Sequence, residues 1–122
     1  MTEDETQVWL DNQLALQQIS LTRFAVESTA AGELIGVCGY QYIDGDWDFG
    51  FYFRPSFWGY GYATEACICL LEKAGELLHG DSFVIFVAED NVASQKIMKR
   101  CGYTPTKLTT RAGERGSYFV VV

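Results

Sequence analysis

One segment limits the folds open to this chain more than any other. Arg54 to Ala66 (RPSFWGYGYATEA) is rich in proline, glycine and aromatic residues and stands between two strongly patterned stretches. Before it, Asp48 to Phe53 (DFGFYF) reads as a strand. After it, Ala63, Ala66, Cys67, Leu70, Leu71, Ala74, Leu77 and Leu78 recur at helical spacing, with Thr64, Glu65, Glu72, Lys73 and Glu76 on the other side. That is the pattern of an amphipathic helix, ended by Gly80. Ser82 to Ala88 (SFVIFVA) is nearly all apolar, as a parallel strand covered on both faces must be. A strand, an irregular loop, a helix and a second strand predict a right-handed parallel crossover.

The flanking segments extend this unit. Thr2-Glu-Asp-Glu5 has the form of a capping box, and Val8, Trp9, Gln13 and Leu16 follow it, which predicts a helix from Glu3 to Gln18. Thr22 to Glu27 alternates as a half-buried strand, and Ala30 to Glu33 is a turn. Leu34 to Tyr42 is a mostly buried strand, and Asp44-Gly45-Asp46 is a hairpin turn into Asp48 to Phe53. Asn91 opens a further helix containing Ile97 and Met98, with Lys99 and Arg100 in its last turn and Gly102 beyond. Thr104 to Thr110 and Ser117 to Val122 are strands of a closing hairpin around Arg111 to Gly116. The order predicts an α/β (α+β) fold, a mixed sheet with helices on its faces, in a single domain covering residues 1–122.

Composition excludes several functions. The 48% apolar content, 15% aromatic, supplies a core and argues against disorder. A formal charge of −7 repels a phosphate backbone and disfavours nucleic acid as a partner. No apolar run approaches the roughly 20 residues of a membrane span. The acidic start Met1-Thr-Glu-Asp-Glu5 is unlike a secretory leader, so a cytoplasmic location is expected. Cys67 and Cys69 lie about 200° apart around a helix and cannot share a metal. With no CxxC pair and His79 the only histidine, no metal site is expected and the four cysteines are expected to be reduced thiols.

The glycine loop carries the chemistry. Gly59 and Gly61 let backbone come close to a ligand, and successive N–H groups before a helix dipole suit a pyrophosphate without needing a lysine. An ordinary glycine turn is the plain alternative. The triphosphate-loop pattern GxxxxGK[ST] is absent, and Ala63 and Thr64 follow Gly61 where a dinucleotide fingerprint needs its third glycine.

Trp58-Gly-Tyr-Gly-Tyr-Ala-Thr-Glu-Ala66 resembles the acetyl-CoA loop of the GNAT acetyltransferase superfamily, most of all the branch of the ribosomal-protein N-acetyltransferases RimJ and RimL. In the family signature [Gln/Arg]-x-x-Gly-x-[Gly/Ala], Trp58 takes the first position, Gly61 the fourth and Ala63 the sixth. Asn91-Val-Ala-Ser94, in a helix ending at Gly102-Tyr103, is similar to a second family block, and Glu33-Leu-Ile-Gly-Val-Cys-Gly39 to a strand of this branch.

The resemblance implies the acyl-CoA N-acyltransferase fold, acetyl-CoA as co-substrate and a primary amine as acceptor, either a protein N-terminus or a small molecule. A non-catalytic CoA-binding or regulatory module is the alternative on the same scaffold. It implies cofactor contacts at Phe53, Arg54, Trp58, Gly59, Tyr60, Gly61, Tyr62, Ala63, Thr64, Asn91 and Ser94, with pantetheine in a gap between the strands ending at Phe53 and Ala88. Asn91 is a pantetheine partner, a helix N-cap, or both. Ser94 is the candidate for protonating the CoA thiolate, since Met98 stands where many relatives place a tyrosine; its ordinary alternative is a bond back to the helix backbone. Asp48 is the candidate base, acting through water on the amine, or else a plain strand-end charge. Glu65 is expected on a solvated face. Family domains begin with a further strand and helix, so this chain reads as N-terminally shortened, with an open sheet edge that predicts a homodimer. The loop also lacks a lysine, with Tyr60 where a cation is common.

Overall fold

The computed structural model describes residues 7–10 and 13–121. Five antiparallel strands come first: β1 (Gln7–Trp9), β2 (Leu14–Gln18), β3 (Arg23–Ser28), β4 (Glu33–Ile43) and β5 (Asp46–Phe53). A short 3₁₀ turn (Pro55–Phe57) leads to α1 (Tyr62–Glu72) and α2 (Ala74–Leu77). Then follow β6 (Phe83–Val84), β7 (Phe86–Ala88), α3 (Val92–Arg100), β8 (Tyr103–Pro105), β9 (Thr109–Arg111) and β10 (Glu114–Val121). One sheet runs in the order β1 to β6, and a second sheet joins β7, β10 and β8, with β9 also on β10. The mixed sheet with helices is therefore the predicted class. Among the described residues no helix is long and apolar enough to cross a membrane.

The predicted helix from Glu3 to Gln18 is overturned where it can be seen. Gln7–Trp9 and Leu14–Gln18 are paired strands, with Val8 opposite Leu16 and Leu16 opposite Val26. The capping box at Thr2 to Glu5 lies outside the described residues. The helical spacing of Val8, Gln13 and Leu16 was incidental, because Leu14, Ala15 and Leu16 are all buried, which suits an inner strand. The sheet edge expected to be open is formed by β1.

Two further departures come from side chains and neighbours. The long helix after the glycine loop breaks at Lys73 because the Leu70 carbonyl is diverted. It accepts from the buried Tyr40 hydroxyl at 3.0 Å and from Lys73 N–H at 3.2 Å, where a continuous helix would use the residue four further on. The closing hairpin turns at Ala112-Gly113, both with positive φ (51° and 83°), so Glu114 to Gly116 belong to β10 rather than to the turn. Asp44-Gly45 turns as predicted, with φ of 51° and 87°. The core lies between the sheet and the helices, with Tyr40, Ile35, Leu16, Leu70, Ile85 and Met98 all at 2% exposure or less.

One switch of partner positions the site. β5 and β6 are parallel, Trp47 opposite Phe83 and Asp48 opposite Val84. At Ile85 the chain leaves β5: the Ile85 carbonyl accepts from Phe119 N–H at 2.8 Å, and Phe86, Val87 and Ala88 pair with Tyr118, Ser117 and Gly116 of β10. Beyond Asp48, β5 has no strand on that side, and the sheet opens into a cleft.

Candidate active site

The glycine loop is shaped by backbone demands. Gly59 (φ 89°) and Gly61 (φ 80°) occupy the left-handed region, and a Cβ on either would meet nothing within 4 Å. Glycine is needed there for conformation, and the space beside it stays open. Gly61 is the N-cap of α1 with no side chain to satisfy the first turn. Among the described residues, the N–H groups of Gly59 through Thr64 donate to no protein acceptor. Those of Gly61 to Thr64 are the orphan donors of a helix start, at the positive end of the α1 dipole.

Facing them is a cavity of about 330 Å³, walled by Trp58, Gly59, Gly61 and Thr64 of the loop and by Lys96 and Arg100 of α3. Both cations come from α3 and not from the loop, which itself has no lysine. Their signal was available: positions 96 and 100 are four apart and share a helix face. A site with oriented N–H groups and two cations can hold an anion. Cys101 joins the two helices behind it, its thiol within 3.9 Å of the Thr64 carbonyl and its pKa pushed up to about 12, mainly by burial.

Trp58 marks the junction of loop and cleft. Its indole N–H donates to the Phe53 carbonyl at 2.8 Å, which uses one of the two acceptor positions of that oxygen. The next cavity, about 200 Å³, is lined by Phe51, Phe53, Trp58, Asn91 and Ser94. It continues into another of about 200 Å³ between Phe49, Gly50 and Phe51 of β5 and Ile85, Phe86 and Val87, again touching Asn91 and Ser94. Arg54 and Tyr60 line neither. Arg54 is tied to Glu33 at 3.3 Å and to the Leu34 carbonyl at 3.1 Å, and Tyr60 stacks on Tyr62 at 5.5 Å. Tyr62 also donates its hydroxyl to Gln13 at 2.9 Å.

Asn91 caps α3, its side-chain oxygen accepting from Ser94 N–H at 3.2 Å, which leaves its amide N–H groups for the cleft. The Ser94 hydroxyl makes no bond back to the helix among the described residues. Gln95 secures the helix start by donating to the carbonyls of Ala88 and Glu89 at 3.1 and 2.9 Å. Met98 is fully buried in the core, away from the cleft.

Past the cleft, Asp48 is held in a fork by Arg111, Nη1 to Oδ1 and Nη2 to Oδ2 at 2.8 Å for the second. That pairing raises the Arg111 pKa above its ordinary value. Asp48 is thus a paired charge rather than a free one at the strand end, and it lines a cavity with Phe49, Gly50, Phe51 and Phe86. Among the described residues no group of histidine, cysteine, aspartate and glutamate has metal-binding geometry.

Comparison with known proteins adds the lineage. A family model described as an acetyltransferase (GNAT) domain matches residues 1–104. An acetyltransferase from Agrobacterium tumefaciens is 27% identical, with a TM-score of 0.67 over 80% of this chain and 59% of that one. A ribosomal-protein-serine acetyltransferase described as putative, from Vibrio cholerae, superposes with a TM-score of 0.74 at 18% identity, over 97% of this chain and 98% of that one. The microcin C7 self-immunity acetyltransferase MccE, solved with acetyl-CoA and AMP, gives 0.70 at 14% identity over 99% and 98%. The chain spans less than two thirds of the length of several such relatives.

Proposed function

The chain belongs to the GNAT acetyltransferase family, and on that premise we propose that it binds acetyl-CoA along the cleft and passes the acetyl group to a primary amine. The observation that carries this reading is the change of partner at Ile85, which opens the sheet next to a glycine loop full of unused N–H donors. A relative of the same fold was solved with acetyl-CoA.

The pyrophosphate lies against the N–H groups of Gly59 to Thr64, with Lys96 and Arg100 adding charge. Pantetheine passes Phe51, Trp58 and the free amide of Asn91. The thioester then sits where Phe49, Gly50 and Phe86 meet. An acceptor ammonium first gives up a proton through water toward Asp48, whose orientation Arg111 holds. The amine lone pair attacks the thioester carbon, the C–N bond forms and the C–S bond breaks. The departing thiolate takes the Ser94 hydroxyl proton, and Ser94 regains one from the new amide nitrogen by way of solvent. The products are an N-acetyl amine, free CoA and one released proton.

Free-thiol release from acetyl-CoA against a panel of amines tests this. Amine-dependent release is expected. A CoA-dependent rise in melting temperature without release for any amine would instead identify a non-catalytic CoA module. We also propose self-association through the sheet edge at β1; light scattering that gives only monomer would overturn that.

A further inference from the structure

A hollow of about 360 Å³ on the face of the sheet opposite α1 shares Phe49, Gly50, Phe51 and Phe86 with the cleft. Its floor is made by two glycines: Gly39 of β4 pairs with Gly50 of β5, and Arg23 of β3 pairs with Gly39. Gly39 has a local reason to be glycine, since a Cβ there would strike the Thr22 carbonyl oxygen. Gly50 has none. Its φ is not positive, it is exposed, and a Cβ would meet nothing within 4 Å. A strand glycine that neither backbone nor packing requires marks a place where something else approaches the sheet. Gly50 also lines the cleft beside Ser94, so this floor lies where a reacting amine must stand.

Charge narrows what enters. The Arg111 charge is neutralised by Asp48 in their fork. Half-buried Arg23 meets no carboxylate among the described residues. Arg23 thus lines the hollow with no carboxylate partner among the described residues, in a chain of net charge −7. Asp44 and Glu114, which form no ion pair among the described residues, line the smaller adjoining cavity at Arg111, and Asp46 also acts on the Arg111 charge.

We propose that the hollow over Gly50 receives the acceptor, and that Arg23 selects amines that also carry a carboxylate. This rests on the acetyl-CoA reading above. The cation would otherwise face a cationic or neutral acceptor with nothing to pair with, whereas a carboxylate gives it a forked, charge-assisted bond.

The test compares β-alanine, 4-aminobutyrate and aspartate with their carboxamides. Hexapeptides with glutamate or glutamine at the second position separate a small acceptor from a protein N-terminus, and cadaverine is the dicationic control. The carboxylate member of a pair should show kcat/KM about tenfold above its amide, the worth of one charge-assisted pair. Arg23→Gln should erase that preference through KM, Arg23→Lys should restore part of it, and both should keep the CoA-dependent rise in melting temperature. Gly50→Val should suppress turnover of every amine. Equal use of acids and amides, preference for cadaverine, an unaltered Arg23→Gln, full turnover in Gly50→Val, or CoA binding with no amine acetylated would each overturn the proposal. A wild-type protein that shows no CoA-dependent rise would instead sink the cofactor reading, and this inference with it.

Discussion

Replacing Gly61 with leucine separates the two jobs given to that residue. Its φ of 80° lies where an L side chain costs about 1–2 kcal/mol, and open space around it means no added clash. For a chain of this length that should lower the melting temperature by about 3–12 °C and leave the fold intact. Gly45, in the β4–β5 turn, supplies the matched control. Its φ is 87°, a Cβ there also meets nothing within 4 Å, and it lies away from the cleft. Gly45→Leu should therefore lose a similar amount of stability. The variants differ in response to cofactor. At about 100 times its Kd, CoA should stabilise wild type by about 2.7 kcal/mol, a rise of about 8–16 °C in thermal unfolding. Gly45→Leu should keep that rise from a lower baseline, and Gly61→Leu should lose it, because the leucine side chain projects into the anion site. Equal CoA responses in the two variants would refute the assignment of the loop.

Ser94→Ala should lower kcat by about 100-fold with little change in KM for acetyl-CoA, and unchanged turnover would remove the hydroxyl from the mechanism. Lys96→Gln and Arg100→Gln should each weaken CoA binding about 3- to 10-fold in calorimetry; the difference from wild type should shrink in high salt, and salt-independent differences would argue against phosphate contacts. Alkaline stability should respond to the thiol between α1 and α3. The folded pKa of Cys101 is raised from 9.0 to about 12, so the neutral thiol favours the fold fully below pH 9 and that contribution is lost as pH climbs toward 12. Denaturant melts from pH 8 to 11.5 should show a shallower decline for Cys101→Ala; identical slopes would discount the burial of that thiol.

Much of this fold is legible in local chemistry. A glycine pair between a strand and an amphipathic helix predicts a loop of left-handed turns at a helix start, Asp44-Gly45 predicts its hairpin, and Asn91 with Gly102 brackets α3, because caps and turns are decided by neighbours a few residues apart. Other features depended on distant partners and were invisible. Leu14 to Gln18 looked helical until β3 was placed beside it, and the helix after the loop looked continuous until the Tyr40 hydroxyl took the Leu70 carbonyl. SFVIFVA read as one strand, yet β10 captures its second half and so creates the cleft. Lys96 and Arg100 came to share a cavity with the glycine loop, and Arg54 was drawn to Glu33, through packing between elements far apart in the chain. Short-range hydrogen bonding is written in the order of residues; which strand edge is left unpaired, and which charge stands alone, is settled only when remote segments compete for the same partners.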